Sequence, residues 1–255
     1  MTTPVVTLVW HRISPYPLPA GTWVSPGQLA RQLDRLAHAG AEFWDPADAA
    51  DTSRSRGLPV VVTFDDATID LYTYRGILDE RGIRPLVFVP VDLVGRPNCW
   101  EWPVPGRRTS HLDVEQLREL AANHWRIGLH GASHRDLTRL QDAELTAEVT
   151  RARHSLVSMI GGEVDSFSYP FGRCDQRVVR EVVRAGFKRA YGMTRRQPEV
   201  PAQYQLPRRP VYCIDTPGDL VSKVKDPQGL TAAGRWQLRK ERWAHGVGHW
   251  TANWR

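Results

Sequence analysis

The chain has 255 residues, of which 41% are hydrophobic and 24% are charged, and its formal net charge is +6. These values are typical of a soluble globular protein that forms one full α/β domain or two small ones. Many of the arginines are scattered over predicted helix faces. The basic residues are therefore not gathered into a dedicated nucleic-acid-binding patch, except near the C-terminus.

Cysteine usage and the first residues bear on the compartment. The three cysteines are far apart and form no CxxC pair, which favours a reducing compartment over a disulfide framework. Residues 1–10 lack the basic start and apolar core of a secretory signal. No apolar run approaches the roughly 20 residues of a membrane span. We therefore expect a cytoplasmic protein.

Apolar runs and helical periodicities alternate along the chain. The predicted strands are Val5–Trp10, Val60–Phe64, Pro85–Pro90, Trp125–Leu129, Ser166–Tyr169 and Arg189–Gly192, with a further short strand near Ala41–Asp45. The predicted helices are Pro26–Ala39, Ile69–Arg81, Asp113–Asn123, Asp142–Ile160 and Val178–Ala185. This alternation, with short links, predicts a parallel sheet or barrel.

Two stretches differ from this pattern. The loop Gly95–Ser110 is rich in Trp, Pro and Arg and is long enough to form a lid or a substrate wall. From Asp226 onward Arg, Lys and Trp become frequent. We therefore expect a catalytic domain over residues 1–225 and a basic helical tail over residues 226–255.

The apolar run Val60–Phe64 ends in two adjacent carboxylates, Asp65 and Asp66. A continuous apolar run predicts a strand buried on both faces, and parallel α/β proteins carry their chemistry at the carboxyl ends of such strands. Neighbouring side chains on an extended chain point in different directions, so one carboxylate can bind a cation while the other stays free as a base.

Two histidines four residues apart, His130 and His134, follow the predicted strand Trp125–Leu129. Two neutral imidazoles and one carboxylate, with a fourth position open to water, form a three-ligand catalytic zinc shell. Each feature alone has an ordinary structural explanation, since Asp66 could cap the helix that follows and a histidine pair could be a surface or core pair. Together, each at a strand end, they favour a metal site.

Three segments resemble the first three motifs of the polysaccharide deacetylases, the NodB-homology family of carbohydrate esterases (family four). They are Thr63-Phe64-Asp65-Asp66, His130-Gly131-Ala132-Ser133-His134-Arg135-Asp136-Leu137 and Phe167-Ser168-Tyr169-Pro170-Phe171-Gly172. The opening segment Val9-Trp10-His11-Arg12 resembles the branch that includes the poly-N-acetylglucosamine deacetylases. The resemblance extends over residues 5–224.

The resemblance implies a distorted (β/α) barrel, a divalent metal ion and an amide hydrolase. Asp65 would be the general base, and the backbone N–H near Phe171 would help to hold the oxyanion, with Tyr169 in the same oxyanion or substrate group. The implied metal ligands are Asp66, His130 and His134. Zinc is the expected metal, and cobalt and nickel suit the same ligands.

The chain departs from the family pattern at several positions. Many members carry an arginine early in the third motif that holds the base, and this chain has Ser168 there. We expect Arg208 to take that role, against an equally simple reading as a solvated surface arginine. The usual late Leu-x-His motif that supplies the acid is missing, and His11 is the candidate, against a purely structural role. Ala67 and Gly131 replace the usual Gly and Ser or Thr, and the second change removes a hydroxyl that would brace the histidine loop.

The partners follow from these features. Trp100 and Trp102, in the long loop, could stack on a sugar ring or simply close the barrel mouth. The basic tail could lie on an anionic membrane surface, meet an acidic glycan, or pack back on the barrel as a helix. We expect an N-acetylated sugar or glycoconjugate as substrate, carried on a nucleotide, a lipid or a natural product. Nothing in the sequence indicates the oligomeric state.

Three functions are compatible with these residues. The favoured one is a metal-dependent hydrolase that removes an N-acetyl group from an amino sugar. The second is a hydrolase of another amide or an ester, such as a formamide or a ring amide, because the same metal and base serve all of these. The third is a catalytically impaired carbohydrate-binding barrel, which the altered motifs suggest and the retained ligands and base count against.

Overall fold

The structure is a computed structural model that describes residues 4–50, 53, 55–98, 109–192 and 199–241. Its strands are β1 (Val6–Trp10), β2 (Arg12–Ile13), β3 (Trp23–Val24), β4 (Ala41–Phe43), β5 (Leu58–Phe64), β6 (Leu86–Val89), β7 (Arg126–Leu129), β8 (Ser166–Ser168), β9 (Arg189–Gly192) and β10 (Leu206–Pro210). Its helices are α1 (Pro26–His38), α2 (Ile69–Thr73), α3 (Gly76–Asp79), α4 (Val114–Ala122), α5 (Asp142–Thr146), α6 (Ala152–Ile160), α7 (Gln176–Arg184) and α8 (Pro217–Lys225). Residues 232–241 are also helical.

Seven parallel strands of the described chain close into a barrel in the order β1, β10, β9, β8, β7, β6, β5, and β5 pairs back onto β1. In the closing pair, Val6 lies opposite Val60 and Trp10 lies opposite Phe64. β4 adds to the first residues of β5, and β2 and β3 form a separate pair. The predicted distorted (β/α) barrel is therefore confirmed.

The alternation of side chains along the strands produces two cores. On β6, Val87 and Val89 join the large apolar cluster that includes residues of the surrounding helices, whereas Leu86 and Phe88 pack with Tyr191 of β9. Because successive side chains of a strand point to opposite faces, the second cluster lies on the inner face of the barrel. The guanidinium of Arg208 lies 5.4 Å from the centre of the Phe88 ring, so this arginine also belongs to the interior.

Left-handed backbone is concentrated in the loops that follow the strands. Of the five non-glycine residues with positive φ in the described chain, four lie in these loops: Asp66 (68°) and Ala67 (45°) after β5, His134 (60°) after β7 and Phe171 (58°) after β8. The fifth, His124 (66°), follows α4. This conformation costs a non-glycine residue roughly 1–2 kcal/mol, so the surrounding packing must hold it. All three loops lie at the carboxyl ends of parallel strands and therefore at the same mouth of the barrel.

Two predicted helices differ from the observed ones. The predicted helix Ile69–Arg81 is two short helices, α2 and α3, and the second begins at Gly76, a poor helix former. The predicted helix Asp142–Ile160 is continuous, but it contains a π-helical turn over Ala147–Arg151, between α5 and α6. The predicted start of α1 is confirmed, because Ser25 accepts a hydrogen bond from the Gln28 backbone and Pro26 is the first helical residue.

The strand β10 was not predicted. Its sequence, Leu-Pro-Arg-Arg-Pro, contains two prolines, which remove backbone donors and are depleted in strands. Each proline is the last residue of a short register, since Pro207 ends the pairing with β9 and Pro210 ends the pairing with β1. This strand carries Arg208 to the site.

The start of the predicted tail contacts the barrel. Glu241 accepts hydrogen bonds from Arg209 of β10 and lies 3.2 Å from Nζ of Lys223 on α8. Residues 242–255 lie outside the described residues, so the membrane contact expected of the tail stays a prediction. In the part of the chain that the structure describes, no helix has the length and apolar character needed to cross a membrane.

Candidate metal centre

Asp65 and Asp66, at the end of β5, have different backbone conformations. The backbone N–H of Asp65 still bonds to the carbonyl of Trp10 on β1, whereas Asp66 already has positive φ. Both side chains are buried. The helix that follows is capped at Thr68, so the alternative that Asp66 serves as a helix cap does not hold.

Asp66 lies against the two histidines. Its Oδ1 is 3.7 Å from Nε2 of His130 and 3.5 Å from Nε2 of His134, and one ligand atom from each residue lies within 4.8 Å of the others. Ligands about 2.0–2.2 Å from a tetrahedral ion lie about 3.4 Å apart, so these separations suit a single metal ion. The predicted ligand group is therefore assembled in space.

The surroundings of the three side chains also suit a metal ion. Oδ1 of Asp66 is buried and has no hydrogen-bond partner among the described residues, which is unusual for a carboxylate oxygen. Nδ1 of His130 lies 2.8 Å from the carbonyl oxygen of Ser168, which fixes the ring and leaves Nε2 available to a ligand. Burial lowers the pKa of both His130 and His134 to about 4, so both rings are neutral at physiological pH, as metal ligation requires.

Asp65 is held by the arginine that the sequence predicts for it. Arg208 donates two parallel hydrogen bonds to the carboxylate, at 2.7 Å and 2.8 Å, and a third to the Ser168 hydroxyl at 2.8 Å. Burial would raise the pKa of Asp65, but the charge and hydrogen bonds of Arg208, helped by His130, outweigh it and hold the pKa well below its usual range. Asp65 is therefore an ionised carboxylate with a fixed orientation.

His11 lies beside the same carboxylate. Its Nε2 is 4.0 Å from Oδ2 of Asp65, and 26% of its side chain is exposed, compared with 4% for Asp65. His11 follows β1, the strand that closes the barrel against β5. This position, partly open to solvent and close to the base, suits a group that exchanges a proton with a substrate.

His111 is a site residue that the sequence did not indicate. Its Nδ1 lies 2.7 Å from the carbonyl oxygen of Asp66, and its backbone pairs with Thr68. It is 98% buried, since its relative exposure is 2%. A histidine inside a loop with no motif around it gives no sequence signal, because only the folded loop brings it under Asp66.

The other predicted substrate residues have mixed outcomes. The ring of Phe171 packs edge-on against His134, with 4.8 Å between centroids, so its side chain lies beside the ligand group. Tyr169 is fully buried, its hydroxyl donates to the carbonyl of Tyr204, and its ring packs on Phe167. This placement does not suit the substrate contact predicted for Tyr169, because the hydroxyl is already used in the core. Trp100 and Trp102 lie outside the described residues.

Comparisons with known proteins agree with this geometry. A family model described as polysaccharide deacetylase matches residues 53–190. YxkH of Bacillus subtilis (strain 168), which is provisionally named a polysaccharide deacetylase, is 23% identical over 130 residues. That match covers 51% of this chain and only 42% of YxkH, so it spans less than half of the relative.

Solved structures share the fold. A polysaccharide deacetylase from Bacillus cereus superposes with a TM-score of 0.71 at 20% identity, covering 86% of this chain and 68% of that one. IcaB from Ammonifex degensii superposes with a TM-score of 0.68 at 23% identity, covering 95% of this chain and 97% of that one. The similarity to IcaB therefore includes nearly the whole length of both chains.

Proposed function

Because the chain belongs to the polysaccharide deacetylase family, we propose that it is a metal-dependent hydrolase that removes the N-acetyl group from an amino-sugar substrate. One observation carries the proposal: the ligand group Asp66, His130 and His134 lies directly beside Asp65, whose Oδ2 is 3.7 Å from Nε2 of His130. Amide hydrolysis by activated water needs a cation site and a base next to each other.

The chain's residues divide the reaction among them. A divalent ion held by the ligand group would supply acidified water and polarise the amide carbonyl. Asp65 accepts the proton of the attacking water, because Arg208 keeps it ionised and holds both of its oxygens in place. The backbone N–H near Phe171 donates to the oxygen of the former carbonyl.

The second half of the reaction needs a proton donor. As the water oxygen bonds to the amide carbon and the C–N bond breaks, the nitrogen must gain a proton to leave as an amine, with acetate as the other product. We assign this donor to His11, since it lies 4.0 Å from Asp65 and is partly exposed. A structural role for His11 alone would not explain a partly exposed imidazole beside the base.

The donor set favours zinc as the metal. Two imidazole nitrogens and one carboxylate oxygen match a catalytic zinc shell, and cobalt and nickel accept the same ligands. The substrate class, an N-acetylated sugar or glycoconjugate, is supported by the family.

Metal analysis and a product assay test the proposal together. We expect the purified protein to bind about one divalent ion and to release acetate and free amine from N-acetylglucosamine or its short oligomers. Asp65→Asn should keep the metal and lose at least about 100-fold in kcat, because only the base is removed. Asp142→Asn, at an exposed carboxylate on α5, is the matched control and should keep full activity.

Other outcomes would point elsewhere. Absence of bound metal, or full activity of Asp65→Asn, would exclude the mechanism. Release of formate instead of acetate from matched substrates would favour a hydrolase of another amide. Sugar binding with metal bound and no turnover would favour a binding barrel.

A further inference from the structure

We propose that Glu148 is the positioning residue that holds the histidine loop (Gly131–His134) in its metal-binding conformation. The inference rests on the proposed metal site, and it concerns a residue outside the ligand group. Glu148 is buried, with a relative exposure of 4%. No ion pair to it is present among the described residues, so its carboxylate is held by the loop that it contacts.

Three donors of the loop converge on this one carboxylate. Oε2 accepts hydrogen bonds from the backbone N–H of Ala132 at 2.8 Å and of Ser133 at 3.0 Å. Oε1 accepts a hydrogen bond from the Ser133 hydroxyl. The two backbone hydrogen bonds fix two successive peptide units, and the third fixes the Ser133 side chain.

The loop needs such support because its backbone is unfavourable on its own. Gly131 has a φ of 78° and His134 a φ of 60°, so left-handed residues stand at both ends of the segment that Glu148 binds. A histidine in this region persists only where its surroundings hold it. Without the carboxylate, the buried N–H of Ala132 and the partly buried N–H of Ser133 would lose their acceptor, and His134 would be free to leave the position 3.5 Å from Asp66.

The choice of glycine at position 131 is part of the same arrangement. A Cβ atom at Gly131 would come within 3.0 Å of Oε2 of Glu148, tighter than ordinary contacts. A side chain at position 131 would therefore require the carboxylate to shift by a few tenths of an ångström. Compared with the usual Ser or Thr, this glycine removes a hydroxyl brace, and Glu148 with the Ser133 hydroxyl supplies a brace in its place.

The π-helical turn brings Glu148 to the loop. Residues 147–151 form this turn inside the helix that runs from residue 142 to 160. The wider turn rotates the residues before it relative to those after it, and such turns are frequently found at functional sites. The Thr150 hydroxyl, on the same turn, donates to Glu181 of α7 at 2.6 Å, so the turn is anchored on its other side.

A pair of substitutions separates positioning from general stability. Glu148→Met keeps most of the volume and removes both acceptors, and we expect it to weaken Zn²⁺ and Co²⁺ affinity by about 10–100-fold, as for other residues that orient metal ligands. Glu148→Gln keeps one acceptor oxygen for the two N–H groups and can donate to the Ser133 hydroxyl, so it should restore affinity to within a few-fold of the parent. Glu241→Met, at a buried glutamate that accepts hydrogen bonds from Arg209 of β10, is the control and should leave affinity unchanged.

The readouts are metal titration by calorimetry and the visible absorption of bound Co²⁺, both at a temperature where every variant is folded. A changed Co²⁺ spectrum in Glu148→Met alone supports the inference, since a loss of stability by itself would not alter ligand geometry. Equal affinity and spectrum in Glu148→Met and the parent, or equal losses in Glu241→Met, would overturn it. If the parent itself binds no metal, the proposed function fails first, so the two failures are distinguishable.

Discussion

At the scale of single residues, the adjacent carboxylates Asp65 and Asp66 have opposite environments. Asp65 faces a guanidinium on its Oδ1 and Oδ2, whereas Oδ1 of Asp66 is buried and has no hydrogen-bond partner in the described part of the chain. Positive φ at Asp66 turns the chain at this point, so the separation goes beyond the simple alternation of an extended strand. Asp65, an anion held in a fixed orientation, therefore lies beside Asp66, whose Oδ1 is available to a metal ion.

Replacing Arg208 tests whether orientation of the base matters. Arg208→Lys keeps a positive charge but provides a single point donor in place of the planar pair at 2.7 Å and 2.8 Å. We expect kcat to fall by about 10–100-fold, because Asp65 is no longer held in one orientation. Metal affinity should change little, because the substitution leaves the three metal ligands in place. Steady-state kinetics and a metal titration check this.

Arg126→Lys is the control for that substitution. Arg126 lies on β7, is 53% exposed and pairs with Asp45, so it belongs to the surface. It should behave as the parent does. An Arg208→Lys variant with unchanged kcat would show that Arg208 does not position the base.

At the scale of elements, β10 links the site to the C-terminal helical segment over residues 232–241. Arg208 and Arg209 are adjacent on this strand. Arg208 donates hydrogen bonds to Asp65, and Arg209 donates hydrogen bonds to Glu241. Glu241 also lies 3.2 Å from Lys223, which is fully buried and bonded to Asp215. A network of buried charges therefore fastens the segment to the barrel.

We expect Glu241→Gln to loosen this segment. The change leaves Arg209 and Lys223 buried with one anion fewer, and it should lower the free energy of unfolding by about 2 kcal/mol, since each cation keeps another partner. Denaturant unfolding measures the loss. Faster trypsin cleavage at Lys225 and Arg235 would report the local detachment.

Glu163→Gln provides the comparison. Glu163 pairs with Lys188 on the surface, where the two side chains are 60% and 58% exposed, so the change should cost well under 1 kcal/mol. Equal effects of the two substitutions would show that the Glu241 network does not stabilise the fold.

At the scale of the whole molecule, barrel closure places a metal-binding group in the interior, with consequences for stability. His130 and His134 have a pKa of about 4 in the fold because burial disfavours their charged forms. In the unfolded chain a histidine has a pKa of about 6.5. Below that pH the unfolded chain takes up protons that the folded chain does not.

The metal-free protein should therefore lose stability as the pH falls from about 6.5 to about 4. Each histidine contributes a slope of up to about 1.4 kcal/mol per pH unit in this range, and its contribution is fully present above pH 6.5. Urea unfolding of the chelator-treated protein at several pH values measures the slope.

A double variant, His130→Asn with His134→Asn, isolates the part that these residues contribute. Its stability should fall less steeply over the same pH range, because neither side chain titrates, whatever its stability at neutral pH. Identical slopes for the two proteins would contradict the burial of neutral imidazoles.

Some features of this protein follow from the sequence by itself. The barrel, the ends of β5 and β7, the Asp pair and the histidine pair were predicted, because apolar runs, helix caps and short motifs are local patterns. Ser168 and the missing acid motif pointed to Arg208 and His11, although nothing local could show where those side chains lie.

Only the tertiary structure decided how the site is supported. Arg208 and Asp65 are 143 residues apart in the sequence. Arg208 lies on β10, a strand that was not predicted because it contains two prolines. His111 and Glu148 contact the metal-site loops from segments that carry no motif. Hydrogen bonds of this kind depend on which strands and helices become neighbours when the barrel closes, and a one-dimensional pattern does not contain that information.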